Sequence, residues 1–276
     1  MRVSYVGLHA WEEPCLSGDR GSGTIFFSGC SLGCVFCQNA DISRSWTGEL
    51  LDPAGLARHM LALQALGAHN INLVTGAHVL TSAAVAIRLA KAQGLSLPVV
   101  WNTGAYEKAE ALRMLEGLVD IYLPDLKYED PLLSLALCNA ENYASVAHAA
   151  LYEMHRQTGT YENMENGLLV HGMIVRHLVL PGCIRDSFRV LEWLAANLPM
   201  DIRLSILAQY TPMPHMHIIA EENLSKALQR TITTFEYQKV LDKAMSLGFT
   251  RILTQERASA GQRYIPPFSR GSGSGE

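Results

Sequence analysis

An α/β domain built on a parallel sheet is the fold class this sequence predicts, and three observations carry the prediction. Apolar, β-branched runs recur along the chain. Ala/Leu-rich stretches with helical spacing separate them. The runs are continuously apolar rather than alternating, as in strands covered by helices on both faces. At 276 residues and 49% hydrophobic content, the chain suits one barrel-sized domain or two ordinary ones.

Each element has its own signal. TIFFSG, from Thr24, is the first strand of the series, and Gly29 closes it. PAGLARHMLALQALG begins with a proline, which a first helical turn tolerates, and stops at Gly67. The strand INLVTG, from Ile71, leads to the helix TSAAVAIRLAKAQG, and PVVWNT, from Pro98, leads to YEKAEALRMLEG. DIYLPDLK, from Asp120, precedes AENYASVAHAALYEMHRQTG; MIVRHLVLPG, from Met173, precedes SFRVLEWLAANLP; DIRLSILAQY, from Asp201, is the sixth strand. After a loop, TPMPHMH, come helical ENLSKALQR and FEYQKVLDKAMSLG and a short strand, TRILTQE. Six strand–helix repeats fit a doubly wound sheet or a full or partial barrel, and in each the chemistry gathers at the strand C-termini. Those ends hold Cys30 to Cys37, Thr75 to His78, Asn102 to Gly104, Asp125 to Lys127, Pro181 to Cys183 and Gln209 to Tyr210. Neither a repeat nor a linker divides the chain, so one domain over 1–269 is expected. Its barrel core spans about 21–210, an extension about 211–260, and a disordered Gly/Ser tail follows at 270–276.

Composition narrows the function. With 26 acidic against 22 basic residues, a formal charge of -4 and no block of like charge, the chain does not read as a nucleic-acid binder. No apolar run is long enough to span a bilayer, so no membrane partner is expected. The start, MRVSYVGLHAWEEP, lacks an apolar signal core, which makes the cytoplasm the expected compartment. Of six cysteines, three crowd into GCSLGCVFC, and clustered thiols in a reducing compartment favour metal or redox chemistry over disulfides.

Cys30, Cys34 and Cys37 converge on one centre if the backbone curls around it, and Gly29 and Gly33 permit such a curl. Sulfur ligation suits zinc and iron alike, and either centre normally takes four protein ligands. A zinc loop completed by a remote histidine is one reading. The other is an iron–sulfur cluster with one iron left for a small molecule.

With Phe36 just before the last thiol, CxxxCxxC resembles the signature of radical S-adenosylmethionine (SAM) enzymes. WEEPCLSGDRGSGTIFFSGCSLGCVFCQNADIS, NLVTGAH, VVWNTGAYE, DIYLPDLKY, VRHLVLPG, LAQYTP and LTQERAS resemble successive blocks of the pyruvate formate-lyase activating enzyme-like group, from about Trp11 to about Ser259. The resemblance implies a partial (β/α)6 TIM-like barrel of the radical SAM type. Cys30, Cys34 and Cys37 would hold three irons of a [4Fe-4S] cluster, and SAM would chelate the fourth. An electron from a flavodoxin or ferredoxin-type donor would cleave SAM reductively. The resulting radical would take a hydrogen atom from a glycine of a partner glycyl radical enzyme; a peptide or small molecule is the alternative donor.

The resemblance also assigns SAM contacts. Thr75, Gly76, Ala77 and His78 stand where the family has two glycines and a glutamate around the methionine amino group. Asp125 and Lys127 match the DxK that meets ribose hydroxyls and the methionine carboxylate. Asn102 and Thr103 occupy the place of an Asp-Thr pair that helps bind a monovalent cation, and here the formal charge is lost. Arg176 would reach the SAM carboxylate or a partner, and Gln209 would border the adenosine. No further catalytic side chain is required. The plain alternatives are an ion pair at a strand end for Asp125 and Lys127, ordinary hydrogen-bonded roles for His177, His215 and His217, and buried apolar roles for Cys138 and Cys183. Cys15 would be a free thiol near the cluster mouth, and a non-catalytic zinc-binding interaction protein is the second function class.

Overall fold

The computed structural model describes residues 1–160, 162–213 and 221–255. The expected tail at 270–276, His215, His217 and the end of the LTQERAS block lie outside the described residues.

All six expected strands form, and in the expected order. They are β2 (Ser22–Phe27), β4 (Ile71–Val74), β5 (Val99–Thr103), β6 (Ile121–Pro124), β8 (Leu168–Leu178) and β9 (Arg203–Leu207). Each pairs parallel to the next, and β10 (Ile252–Thr254) continues the sheet parallel to β9. β2, β4, β5 and β6 are buried at every residue. That explains their unbroken apolar runs.

The sheet continues past β2 through elements that strand patterning did not mark. β1 (Arg2–His9) lies antiparallel to β2, and the two-residue β3 (Glu49–Leu50) pairs with β1. The short β7 (Asn163–Glu165) forms an antiparallel hairpin with β8. The path β10-β9-β8-β6-β5-β4-β2-β1-β3 ends on β10 and β3 without closing.

The connecting helices cover the sheet. Pro53–Ala65 starts on Pro53 with Asp52 capping the Gly55 amide at 2.7 Å, and buries Leu56, Ala57, Met60 and Leu63. Leu80–Ala92, Tyr143–Thr158 and Ile184–Asn197 follow the later strands. YEKAEALRMLEG makes only Ala109–Leu112 and a 3-10 turn. PLLSLALC, not expected as an element, is a helix at Pro131–Cys138, with Asp130 accepting from the Leu132 and Leu133 amides. Beyond β9 come Glu222–Ala227 and Thr234–Leu247, the latter opened by a capping box between Thr233 and Glu236. No helix among the described residues is long and apolar enough to cross a membrane.

A four-residue helix, Pro14–Ser17, decides the shape of the site. Its Cys15 and Leu16 pack with Val100, Ile121, Leu123 and Ile174 in a core cluster separate from the main one. Val100, Ile121 and Leu169 of this cluster lie near the starts of β5, β6 and β8, with Leu123 and Ile174 farther along, so the helix packs toward the sheet's N-terminal side. Cys15 is therefore buried core.

Candidate functional site

The cysteine loop leaves β2 at its C-terminal end. Gly29 has φ of +87°, where a Cβ would lie 3.3 Å from His78 Nε2 and 3.4 Å from Trp46. Only a glycine adopts that turn without strain. Gly33 needs no such freedom, since its nearest neighbour to a Cβ is the Cys138 carbonyl at 3.9 Å. The loop is anchored elsewhere. The amides of Gly33 and Val35 donate to the Cys138 and Leu137 carbonyls at 3.3 and 2.9 Å, and Arg44 Nη2 donates to the Cys34 carbonyl at 2.8 Å. Phe36 is buried edge-on against Tyr210, with centroids 5.8 Å apart.

Two of the sulfurs already accept hydrogen bonds. The Leu32 amide donates to Cys30 Sγ at 3.3 Å, and Ser43 Oγ donates to Cys37 Sγ at 3.4 Å. Burial pushes the Cys30 thiol up to about 11 and raises Cys37 as well. Cys34 is raised by its contact with the Cys138 thiol and by burial. All three sulfurs line one cavity. Among the described residues no three His, Cys, Asp or Glu side chains gather around a single ion position. Three thiols are a donor set that suits an iron–sulfur cluster and zinc alike.

The cavity, about 300 Å³, brings together most of the residues named from sequence: Thr75, Asn102, Thr103, Asp125, Lys127, Arg176 and Gln209 all line it. Gly76 and His78 do not. His78 Nε2 lies 2.7 Å from the Ser28 carbonyl, its ring meets Trp46 edge-on, and burial lowers its pKa. Gly76 backs onto Trp101, where a Cβ would come within 2.6 Å of the indole. Thr75 sits at φ +61° with its amide on the Asn102 carbonyl at 2.9 Å. A β-branched residue in this region stores about 1–3 kcal/mol of strain, a cost that recurs at functional sites. Gln209 is held by Gln38 on its carbonyl and by Gln255 on its side chain, at 3.1 and 3.3 Å.

At the centre Asp125 takes Lys127 Nζ on one oxygen at 2.7 Å and Arg176 Nε on the other at 2.8 Å. Burial would raise its pKa, but Arg176 and Lys127 outweigh burial and hold it below the usual carboxylate value. Arg176 continues to Asn102 Oδ1 at 2.7 Å and to Glu12 Oε2 at 3.4 Å. The strand-end ion pair thus belongs to a buried network. A guanidinium also takes the Asn102 and Asp125 oxygens that the resemblance offered to a monovalent cation. Tyr143, fully buried, braces the turn by donating to the Asp125 and Gly104 carbonyls at 2.6 and 3.0 Å.

Three residues of the site carried no sequence signal. Glu12 accepts from Asn72 at 3.0 Å and from Asn102 at 3.4 Å, and burial pushes it up to about 7 against the pull of Arg176. Glu13 lines the same cavity and is 8% exposed. Glu107, also buried, accepts from Thr103 Oγ1 and from Trp101 Nε1, and burial again pushes it up to about 7. The run WEEP marked the first two only as family text; their place on the cavity floor depends on the plug helix that follows. Of the residues given plain roles, His177 is a buried connector from the Leu126 carbonyl to Ser187, and Cys138 touches Cys34.

No protein-family model matches the chain. An uncharacterized protein of Methanocaldococcus jannaschii is 29% identical over 219 residues, covering 74% of this chain and 57% of that protein. The chain thus spans little more than half of that relative. Among solved structures, Streptococcus suis SuiB bound to the precursor peptide SuiA aligns with a TM-score of 0.53 at 12% identity, over 84% of this chain and 48% of SuiB. SuiB bound to S-adenosylmethionine aligns with a TM-score of 0.51 at 10% identity, over 84% of this chain and 46% of SuiB. At such identities the likeness concerns the fold alone, which is the expected α/β partial (β/α)6 TIM-like barrel.

Proposed function

We propose that the protein is a radical SAM enzyme in which Cys30, Cys34 and Cys37 hold a [4Fe-4S] cluster and the adjoining cavity holds SAM. The observation that carries this reading is the placement of three thiols, two of them already accepting hydrogen bonds, on the wall of a cavity that also contains the Asp125–Lys127–Arg176 network. A cluster held by Cys30, Cys34 and Cys37 would supply the one-electron chemistry that reductive cleavage of SAM and hydrogen abstraction require.

The chain's own residues position and enclose. Lys127 and Arg176 offer positive charge to a carboxylate, and Asp125 offers oxygens to ribose hydroxyls. Leu32 N–H and Ser43 Oγ tune the sulfurs. Trp101, Phe36 and Tyr210 pack the walls and exclude water.

The hydrogen donor proposed from the resemblance is a glycine of a glycyl radical enzyme, with a flavodoxin or ferredoxin-type protein as the electron source. A peptide donor is a second reading, favoured by the likeness to SuiB in complex with SuiA. A deuterium label at the glycine of a candidate partner or peptide, followed into 5′-deoxyadenosine, separates the two. For the enzyme itself, anaerobic reconstitution with iron and sulfide is expected to give SAM-dependent 5′-deoxyadenosine that Cys34→Ala abolishes together with the cluster absorbance. Stoichiometric zinc without iron would contradict the reading.

A further inference from the structure

Besides His9, five acidic or basic side chains line the cavity: the carboxylates of Glu12, Glu13 and Asp125, and the cations of Lys127 and Arg176. Their pairing is uneven. Asp125 takes Lys127 and Arg176, and Glu12 takes another nitrogen of Arg176 together with the amides of Asn72 and Asn102. Glu13 lies close enough to Arg176 to feel its charge, but Glu13 Oε2 is buried without a hydrogen-bond partner among the described residues. Glu13 stands at the N-cap of Pro14–Ser17, yet its side chain makes no capping bond there. A buried carboxylate left in this state is costly unless a partner arrives.

The location bears on which partner that is. Glu13 immediately precedes the plug helix, whose partners include Val100, Ile121 and Leu169 near the starts of β5, β6 and β8. The cysteine loop follows the opposite, C-terminal end of β2. The three cysteines and Glu13 thus line one cavity from two different ends of the sheet.

We propose that Glu13, with Glu12 beside it, receives a positively charged nitrogen carried by the hydrogen-donating substrate, so that the donor is an ammonium- or guanidinium-bearing molecule or peptide. This rests on the radical SAM reading for the meaning of the floor as a substrate site. The recognition itself is a property of the two carboxylates.

The test uses anaerobically reconstituted wild-type and Glu13→Gln protein, with n-propylammonium as probe and n-propanol as its neutral counterpart, titrated calorimetrically with SAM present. The wild type is expected to favour propylammonium by about tenfold or more, the scale of a charge-assisted hydrogen bond, and Glu13→Gln to lose that preference. SAM affinity is expected to stay within about twofold of wild type. Equal binding of the two probes, or a preference that survives in Glu13→Gln, overturns the proposal. A matching loss of SAM affinity also overturns it, since the nitrogen recognised would then be that of SAM. If SAM fails to bind the wild type, the enzymatic reading fails, and the same probe comparison without SAM still decides the floor site. A thermal melt checks folding, and Glu13→Ala replaces the glutamine variant if that variant misfolds.

Discussion

Glu107→Gln removes a carboxylate buried behind the cavity wall, where it holds Thr103 Oγ1 and Trp101 Nε1. Burial pushes this group from 4.5 up to about 7, only partly offset by its two donors. A rise of that size corresponds to about 3 kcal/mol between the two protonation states. Because the folded pKa lies above the unfolded one, the contribution is fully present below pH 4.5 and is lost as pH rises through about 7. Glutamine keeps an oxygen for both donors and cannot ionise. Relative to wild type, Glu107→Gln should therefore gain about 3 kcal/mol in unfolding free energy on going from pH 4.5 to 8, whatever fixed offset its amide brings. Urea unfolding followed by circular dichroism at several pH values measures the difference, and comparing the two proteins cancels other titrating groups such as Glu12. Parallel pH–stability curves for the two would refute the argument.

Arg176→Met removes one partner each from Asp125, Asn102 and Glu12 at once and should destabilise the protein by about 3–5 kcal/mol, with Arg176→Lys recovering part of the loss in a denaturant titration. Exchanging sodium or potassium chloride for tetramethylammonium chloride should leave SAM affinity of the reconstituted protein unchanged, because Arg176 already takes the Asn102 and Asp125 oxygens; a clear dependence on the small cation would show otherwise. Gly76→Ala drives a methyl into Trp101 and should cost about 1–3 kcal/mol, read as a lower melting temperature.

The parallel core was legible because strands buried on both faces have one signature, an unbroken apolar run, and β2, β4, β5 and β6 all carry it. The cysteine loop was legible because three thiols within eight residues have few uses. β1 escaped notice because its exposure is mixed and Leu8 on its outer side is solvent-facing, so neither alternation nor a continuous run appears. Pro14–Ser17 is too short for any helical period, and its worth lies in long-range contacts with β5, β6 and β8. Glu12 and Glu13 were missed for the same reason: a pair of acidic residues before a proline looks like a solvated loop until the plug helix fixes it inside the sheet. Arg176 was named singly, but its joint hold on Asp125, Asn102 and Glu12 comes from four separate segments meeting, which no local pattern encodes. His78 lies beside Gly29 of the cysteine loop but does not line the cavity. Its position after β4 suggested a site residue, and the turn instead carries its ring to Ser28 and Trp46.

The most direct test of the central claim is electron paramagnetic resonance of anaerobically reconstituted, reduced protein with and without SAM. A cluster held by Cys30, Cys34 and Cys37 with one iron open to SAM predicts a [4Fe-4S]⁺ signal whose g-values shift when SAM is added. A cluster signal identical in both samples, or no cluster signal after reconstitution, would contradict it.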